Sequence, residues 1–179
     1  MKKIMGTIIL VLLVGILLTG YIFTEKSTQE PPEVKITIGD KELDYVIGKN
    51  QWNGDKYDRE CTLKSILEKT SESEIPYVKI DDIVTISFKN NPPNKLTILD
   101  ILIDNRGNQI YSDKETVSIP VQLKHGKCSF KIAKHFASGL SSYYSEEKTD
   151  IRGFKIIANW GGKWENECEY GFVIKTDSF

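Results

Sequence analysis

Arg152-Gly153-Phe154-Lys155-Ile156-Ile157-Ala158-Asn159-Trp160-Gly161-Gly162, followed by Cys168-Glu169-Tyr170-Gly171-Phe172-Val173-Ile174, decides the fold class. In the first segment Phe154, Ile156, Ala158 and Trp160 fall on one face of an extended chain. In the second, Cys168, Tyr170, Phe172 and Ile174 do the same. Side chains alternate across a strand, so this spacing is the mark of a strand with one face buried. Gly161-Gly162 permits a tight turn between the two. The segments therefore read as an antiparallel pair.

The same alternation runs upstream. Val34, Ile36 and Ile38 alternate with polar residues, Gly39-Asp40 makes a hairpin turn, and Leu43, Tyr45 and Ile47 resume the pattern. Residues Gly48 to Tyr57 read as a polar loop carrying Trp52. Asp58 is positioned to cap a short helix with Leu63, Ile66 and Leu67 at helical spacing. Tyr77 to Ile80 and Ile83 to Phe88 read as strands, and Asn90-Asn91-Pro92-Pro93-Asn94 as a turn. The nearly continuous apolar run Leu96 to Ile103 suits a central strand buried on both faces. Shorter strands follow near Ile110, at Val117 to Leu123, and at Cys128, Phe130 and Ile132. Residues Ala133 to Asp150 read as a long, Ser-rich loop. About eight to ten strands at intervals of about 8–12 residues predict an all-β, antiparallel, immunoglobulin-like sandwich with one short helix. The connections are too short for the crossover helices of a parallel sheet.

The chain has 179 residues, 24 basic and 25 acidic, and is 40% apolar. Balanced charge excludes nucleic acid as a partner, which would call for a strongly basic domain. Composition excludes collagen-like, coiled-coil and wholly disordered classes. The apolar residues are unevenly spread, with 16 of 71 in the first 23 positions. Residues 4–23 form an uncharged run of 20. As a helix it rises roughly 30 Å, the thickness of a bilayer's hydrocarbon core. Lys2 and Lys3 precede it; Glu25, Glu30 and Glu33 follow. The positive-inside rule then predicts a single-pass cell-membrane protein, with a cytoplasmic amino terminus and an extracellular carboxy-terminal domain.

A cleaved signal is the alternative, with Thr19 and Gly20 as small residues at a cleavage site. Leu18-Thr19-Gly20 begins like a lipobox, but Tyr21 stands where a lipid-bearing Cys would be needed. The expected organisation is an anchor or signal over residues 1–24, a linker over 25–33 ending in Pro31-Pro32, and an outer domain over 34–179.

Tests for chemistry find no catalytic site, cofactor or metal. Cys61, Cys128 and Cys168 are three, so one stays unpaired within a monomer. Cys128 and Cys168 lie on predicted strands and could pair across the sandwich. The other readings are buried small apolar residues and an intermolecular bridge. His125, Cys128 and His135 are too few for a structural zinc site. Asp104-Asn105-Arg106-Gly107-Asn108 has calcium-like residue types without the loop spacing, and reads as a turn. Ser145-Glu146-Glu147-Lys148 matches Ser-x-x-Lys, the pattern of penicillin-recognising enzymes, without either companion motif. A small serine hydrolase using Ser145 and Lys148 is therefore the enzyme alternative.

Trp52, Tyr143, Tyr144, Trp160 and Trp164 are the candidate binding residues, because aromatic loop residues mark interfaces. The competing reading packs these rings inward, as plugs at the sandwich ends.

Trp52-Asn53, Pro92-Pro93, His135-Phe136-Ala137-Ser138-Gly139-Leu140-Ser141-Ser142, Arg152-Gly153-Phe154, Trp160-Gly161 and Cys168-Glu169-Tyr170-Gly171-Phe172 form a recurring order. In that order the chain resembles an extracytoplasmic β-domain of small, uncharacterised membrane-anchored proteins of bacilli and clostridia. It is also similar to the carboxy-terminal outer domain of some membrane metallopeptidases related to β-lactam-sensing antirepressors. The resemblance covers residues 34 to 176 and leaves out the peptidase part, so it implies no zinc-peptidase activity and brings no catalytic residues. The resulting expectation is a non-catalytic binding or sensing module with an envelope protein or peptide as partner. A purely structural envelope protein, joined through a sheet edge, is the third reading. Without Lys2 and Lys3 the chain holds 22 basic and 25 acidic residues, a net charge of −3. That charge gives no electrostatic reason to bind anionic polymers.

Overall fold

The computed structural model describes residues 30–58, 61–140 and 145–179. The expected membrane segment, residues 4–23, lies outside them. Among the described residues no helix is long and apolar enough to cross a membrane.

Strands β9 (Thr149–Gly161) and β10 (Asn166–Asp177) form the antiparallel hairpin read from the sequence. Their register sets Phe172 opposite Phe154, Tyr170 opposite Ile156 and Cys168 opposite Ala158. All six side chains are fully buried on one face. Around this hairpin run β1 (Val34–Ile38), β2 (Lys41–Glu42), β3 (Val46–Trp52), β4 (Asp55–Tyr57), β5 (Ile83–Phe88), β6 (Lys95–Ile103), β7 (Val117–Ile119) and β8 (Lys127–Lys131). One sheet has the order β2-β1-β5-β8, the other β4-β3-β10-β9-β6-β7. Every pairing between these strands is antiparallel.

The core lies between the two sheets. Ile36, Val84, Ile86 and Phe130 come from the small sheet; Ile98, Phe154, Ile156, Phe172 and Ile174 come from the large one. The described residues form a β-sandwich with one short helix, α1 (Thr62–Leu67).

The helix makes a second, smaller core on the outer face of the large sheet, where Leu63 and Ile66 pack on Ile101, Ile103 and Val173. Its seat is a floor of glycines. A Cβ at Gly48 would come within 1.9 Å of Thr62 Oγ1, and one at Gly153 within 2.4 Å of Leu63 Cδ1. At Gly171 it would lie 2.6 Å from Thr62 Cγ2. Three different strands thus lack side chains where the helix touches down.

Several sequence expectations are corrected. Leu43, Tyr45 and Ile47 do not share a strand. Leu43 still donates to Ile36 O at 2.9 Å in the small sheet, and the chain then crosses to start β3 in the large one. Trp52 therefore ends a strand rather than sitting in a loop. Helix α1 starts at Thr62, directly after Cys61, whose φ of 53° is left-handed and which supplies no side-chain cap. Asp58 instead pairs with Lys49 at 3.1 Å. Tyr77 to Ile80 make one parallel bridge to Lys175, not a strand, before Asp81 turns the chain at φ 74°.

Ile110 is exposed and lies outside any strand, held by a bond from its N–H to Leu102 O at 3.0 Å. Strand β7 stops at Ile119 because Pro120 has no N–H to extend the ladder. Strand β6 is second from the edge rather than central; its latter half is covered on its outer face by α1. The Ala133 to Asp150 segment contains a 3-10 turn, Phe136–Leu140, and the first two residues of β9.

Candidate functional site

The sandwich has two ends, closed by different chemistry. At the first lie the β9–β10 turn, the β5–β6 turn and the end of β3. Trp160 stands edge-on to Trp52, with ring centres 5.0 Å apart and planes at 89°, and edge-on to Phe88 at 6.0 Å. Its indole N–H donates to Asn91 O at 2.7 Å. Trp52 is 4% exposed and Trp160 9%. These two candidate binding rings plug the core and offer a ligand almost no area. Aromatic pairs favour this edge-to-face arrangement.

Trp164, between β9 and β10, is different at 47% exposed. Its ring lies over Gly54, where a Cβ would sit 3.3 Å from its Cε3. Its carbonyl accepts from Gln51 Nε2 at 2.8 Å, and Lys163 Nζ lies 4.7 Å from the ring centre. The first described residues, Glu30–Glu33, lie at this same end. Pro32 O accepts from Tyr170 OH at 2.5 Å, and Glu30–Glu33 line one groove with Lys89–Asn91. Burial raises the Tyr170 phenol well above its ordinary pKa.

The opposite end holds a buried polar network. Asp100 on β6 and Arg152 on β9 are diagonal neighbours on the inward face, since Asp100 stands opposite Phe154 and Arg152 opposite Leu102; both are buried. Arg152 Nε donates to Asp100 Oδ1 at 3.0 Å and Nη2 to Oδ2; Nη1 donates to Ala133 O at 2.6 Å. His135 is buried beside them. Its Nδ1 accepts from Ala137 N–H at 3.2 Å, which leaves the ring proton on Nε2, 3.3 Å from Asp100 O. Ser138 Oγ donates to Asp150 Oδ2 at 2.5 Å. Lys148 Nζ reaches Ser138 O at 3.4 Å and Asp150 Oδ1 at 4.0 Å. Thr176 Oγ1 and Ser178 Oγ are buried nearby in sequence register with no hydrogen-bond partner among the described residues.

Over this network three apolar rings and chains face outward. Phe136 is 57% exposed and Leu140 56%, both from the 3-10 turn, with the exposed Phe179 ring 5.4 Å from Lys148 Nζ. Phe136 stacks on His135 at 5.4 Å. Candidate residues Tyr143 and Tyr144 lie outside the described residues; the flanking Leu140 and Ser145 belong to this end. Of the five aromatic candidates, the three tryptophans lie together at the first end.

Compared with models of protein families and with curated proteins, the chain matches none.

Asp100, Arg152, His135, Ser138 and Asp150 are bonded to one another or to backbone groups. Ser145 and Lys148 form a turn, Lys148 N–H to Ser145 O at 3.0 Å, and the Lys148 ammonium is directed at Asp150 and Ser138 O. His125 precedes β8 and His135 follows it, so the two histidines lie at opposite ends. Among the described residues no three side chains of metal-ligating type cluster. Asp104 accepts from the Asn108 side chain at 2.9 Å and from the N–H groups of Arg106 and Asn108, which hold its carboxyl below the usual range and close the expected turn.

All three cysteines are free thiols, so the Cys128–Cys168 bridge is not formed. Cys128 and Cys168 are buried on opposite sheets, while half-buried Cys61 precedes α1 with its Sγ 3.7 Å from Gly107 O. Burial pushes the thiols up, Cys128 to about 11 and Cys168 to about 12.

The polar network was missed by the sequence reading, although His135, Ser138 and Arg152 belong to motifs carrying the resemblance. Its signal is parity. Asp100 has the inward parity of Ile98 and Leu102, and Arg152 that of Phe154. One acid and one base at inward positions of two strands call for each other.

Proposed function

We propose that the chain is a non-catalytic extracytoplasmic binding or sensing module, tethered to a bacterial cytoplasmic membrane by residues 4–23 and built as an immunoglobulin-like sandwich of the kind it resembles. The observation that carries this reading is the division of labour between the two ends. The linker enters beside the tryptophans, so a tether there leaves the opposite end pointing away. That far end carries Phe136 and Leu140, more than half exposed, on a turn braced from below by buried hydrogen bonds. Rigidly held, exposed apolar side chains are what a protein or peptide partner uses as anchors. The net charge of −3 beyond Lys2 and Lys3 favours a protein, peptide or neutral ligand over an anionic polymer.

The third reading, assembly through a sheet edge, has less support. Among the described residues the longest edge strand is β8, of five residues, with Lys127 and Lys131 at its two ends. Short, lysine-flanked edges resist strand addition.

The test is photo-crosslinking in intact cells from a reactive residue at position 140. A discrete species should be trapped, and Phe136→Ser should reduce its yield several-fold without loss of the folded chain. Capture of bulk membrane proteins in proportion to abundance would sink the proposal. An acyl-serine probe should leave the chain unlabelled; labelling that Ser145→Ala abolishes would replace this reading with the hydrolase.

A further inference from the structure

The end that carries the tryptophans has one large ring left over. Trp52 and Trp160 are consumed by the core, but Trp164 stands out from the tip of the longest hairpin, Thr149 to Asp177. It is held, not loose: Gly54 seats one side of the ring, Gln51 binds its carbonyl, and Lys163 lies over the ring. An indole beside an ammonium, exposed on a fixed support, is the pairing that settles at a bilayer's interface. There the ring lies among headgroups and the cation reaches phosphate or water.

The chain's own arithmetic says which surface is within reach. The uncharged run ends at Phe23, and the described chain starts at Glu30. Seven residues extend to at most roughly 25 Å. Glu30–Glu33 share a groove with Lys89–Asn91, and Asn91 O accepts from the Trp160 indole, which sits at the base of the Trp164 turn. The tether and the exposed tryptophan therefore leave the domain at one end.

We infer that the Gly162–Glu165 turn is a membrane-contacting tip, with Trp164 in the outer headgroup layer of the lipid bilayer that anchors the chain. This rests on the tether proposed above. Its consequence is orientation: with two attachment points, the linker and Trp164, the sandwich stands with Phe136 and Leu140 directed outward rather than tumbling on its linker.

The test uses the full chain reconstituted in vesicles of phosphatidylcholine and phosphatidylglycerol, with and without lipids brominated near the headgroup. The apolar run contains no Trp, so lipid-quenched tryptophan emission must come from the domain. Trp164 is one of three tryptophans, so the quenched share is at most about one third if the three emit equally. Bromolipid should quench a component that is missing in Trp164→Phe, and bilayer insertion should shield that component from aqueous acrylamide. Flotation of the chain with vesicles, with identical bromolipid quenching in native and W164F chains, overturns the inference and leaves the tether standing. The same result with Trp164 still open to acrylamide assigns the ring to solvent or to a non-lipid partner, and also overturns it. Failure of the chain to float removes the tether itself, and this inference with it.

Discussion

The two ends of the sandwich solve one problem in opposite ways. Each must close a core left open where strands stop. The tryptophan end uses rings: Trp52, Trp160 and Phe88 meet edge to face, and one indole N–H finds Asn91 O. The far end uses an ion pair: Asp100 and Arg152 are buried and bonded to each other, and His135 beside them bonds to backbone groups, Asp100 O and the Ala137 N–H. A ring plug degrades by increments, because each lost contact is small. An ionic plug fails at once, since removing one partner strands a charge in a medium that solvates it poorly. The difference also fits the work proposed for each end. A buried ion pair with fixed geometry makes a stiff base for Phe136 and Leu140, while a ring plug leaves its turn free to present Trp164.

The largest effect should come from breaking the ionic plug. Asp100→Ala leaves Arg152 buried without its carboxylate and should cost about 3–5 kcal/mol in denaturant unfolding. The double variant Asp100→Leu/Arg152→Met should recover most of that loss, because neither charge is then buried. If the single and double variants were equally destabilised, the end would owe its stability to shape rather than to the pair. The tryptophan end should respond more gently. Trp160→Phe keeps a ring in the plug but loses the bond to Asn91 O, and should cost about 1–2 kcal/mol. A loss as large as that of Asp100→Ala would erase the contrast between the two ends.

The two plugs were unequally legible. The ring plug lies on the alternating residues that define the strands: Trp160 shares the parity of Phe154 and Ile156, and inward packing is one of the two readings its position allows. The ionic plug joins residues 52 positions apart, and no local pattern pairs them. Asp100 is a single acidic residue within the nearly continuous apolar run Leu96 to Ile103. Helix α1 was visible through Leu63, Ile66 and Leu67, but its true start was not. Its position is set by the glycine floor at Gly48, Gly153 and Gly171, which is a property of three strands together. The crossing after Leu43 was invisible for a similar reason. Alternation says that a face is buried and leaves open which sheet buries it. Residues 4–23, the clearest signal in the sequence, fall outside the described residues.

A final, smaller effect separates the ends by pH. Cys128 pairs with Ile86 and Cys168 with Ala158, so both thiols lie in the half of the sandwich nearer the tryptophans. Burial raises them from 9.0 to about 11 and about 12. In the unfolded chain these thiols ionise near pH 9, while in the native core they stay protonated. The unfolded state therefore binds fewer protons above that pH, and stability falls as pH rises. The full contribution is present well below pH 9, begins to fall as pH approaches 9, and is lost progressively toward 11 and 12. Between pH 7 and pH 9 the two thiols together should cost about 1 kcal/mol. Cys168→Ala should flatten roughly half of that slope, whereas Trp160→Phe should lower the whole curve without changing its shape. Thiol titration of the native chain at pH 8 should find Cys61 reactive well before the other two, because it alone is not buried in the core. Equal reactivity of all three would mean that the ring plug opens at neutral pH, and that it is the looser of the two ends.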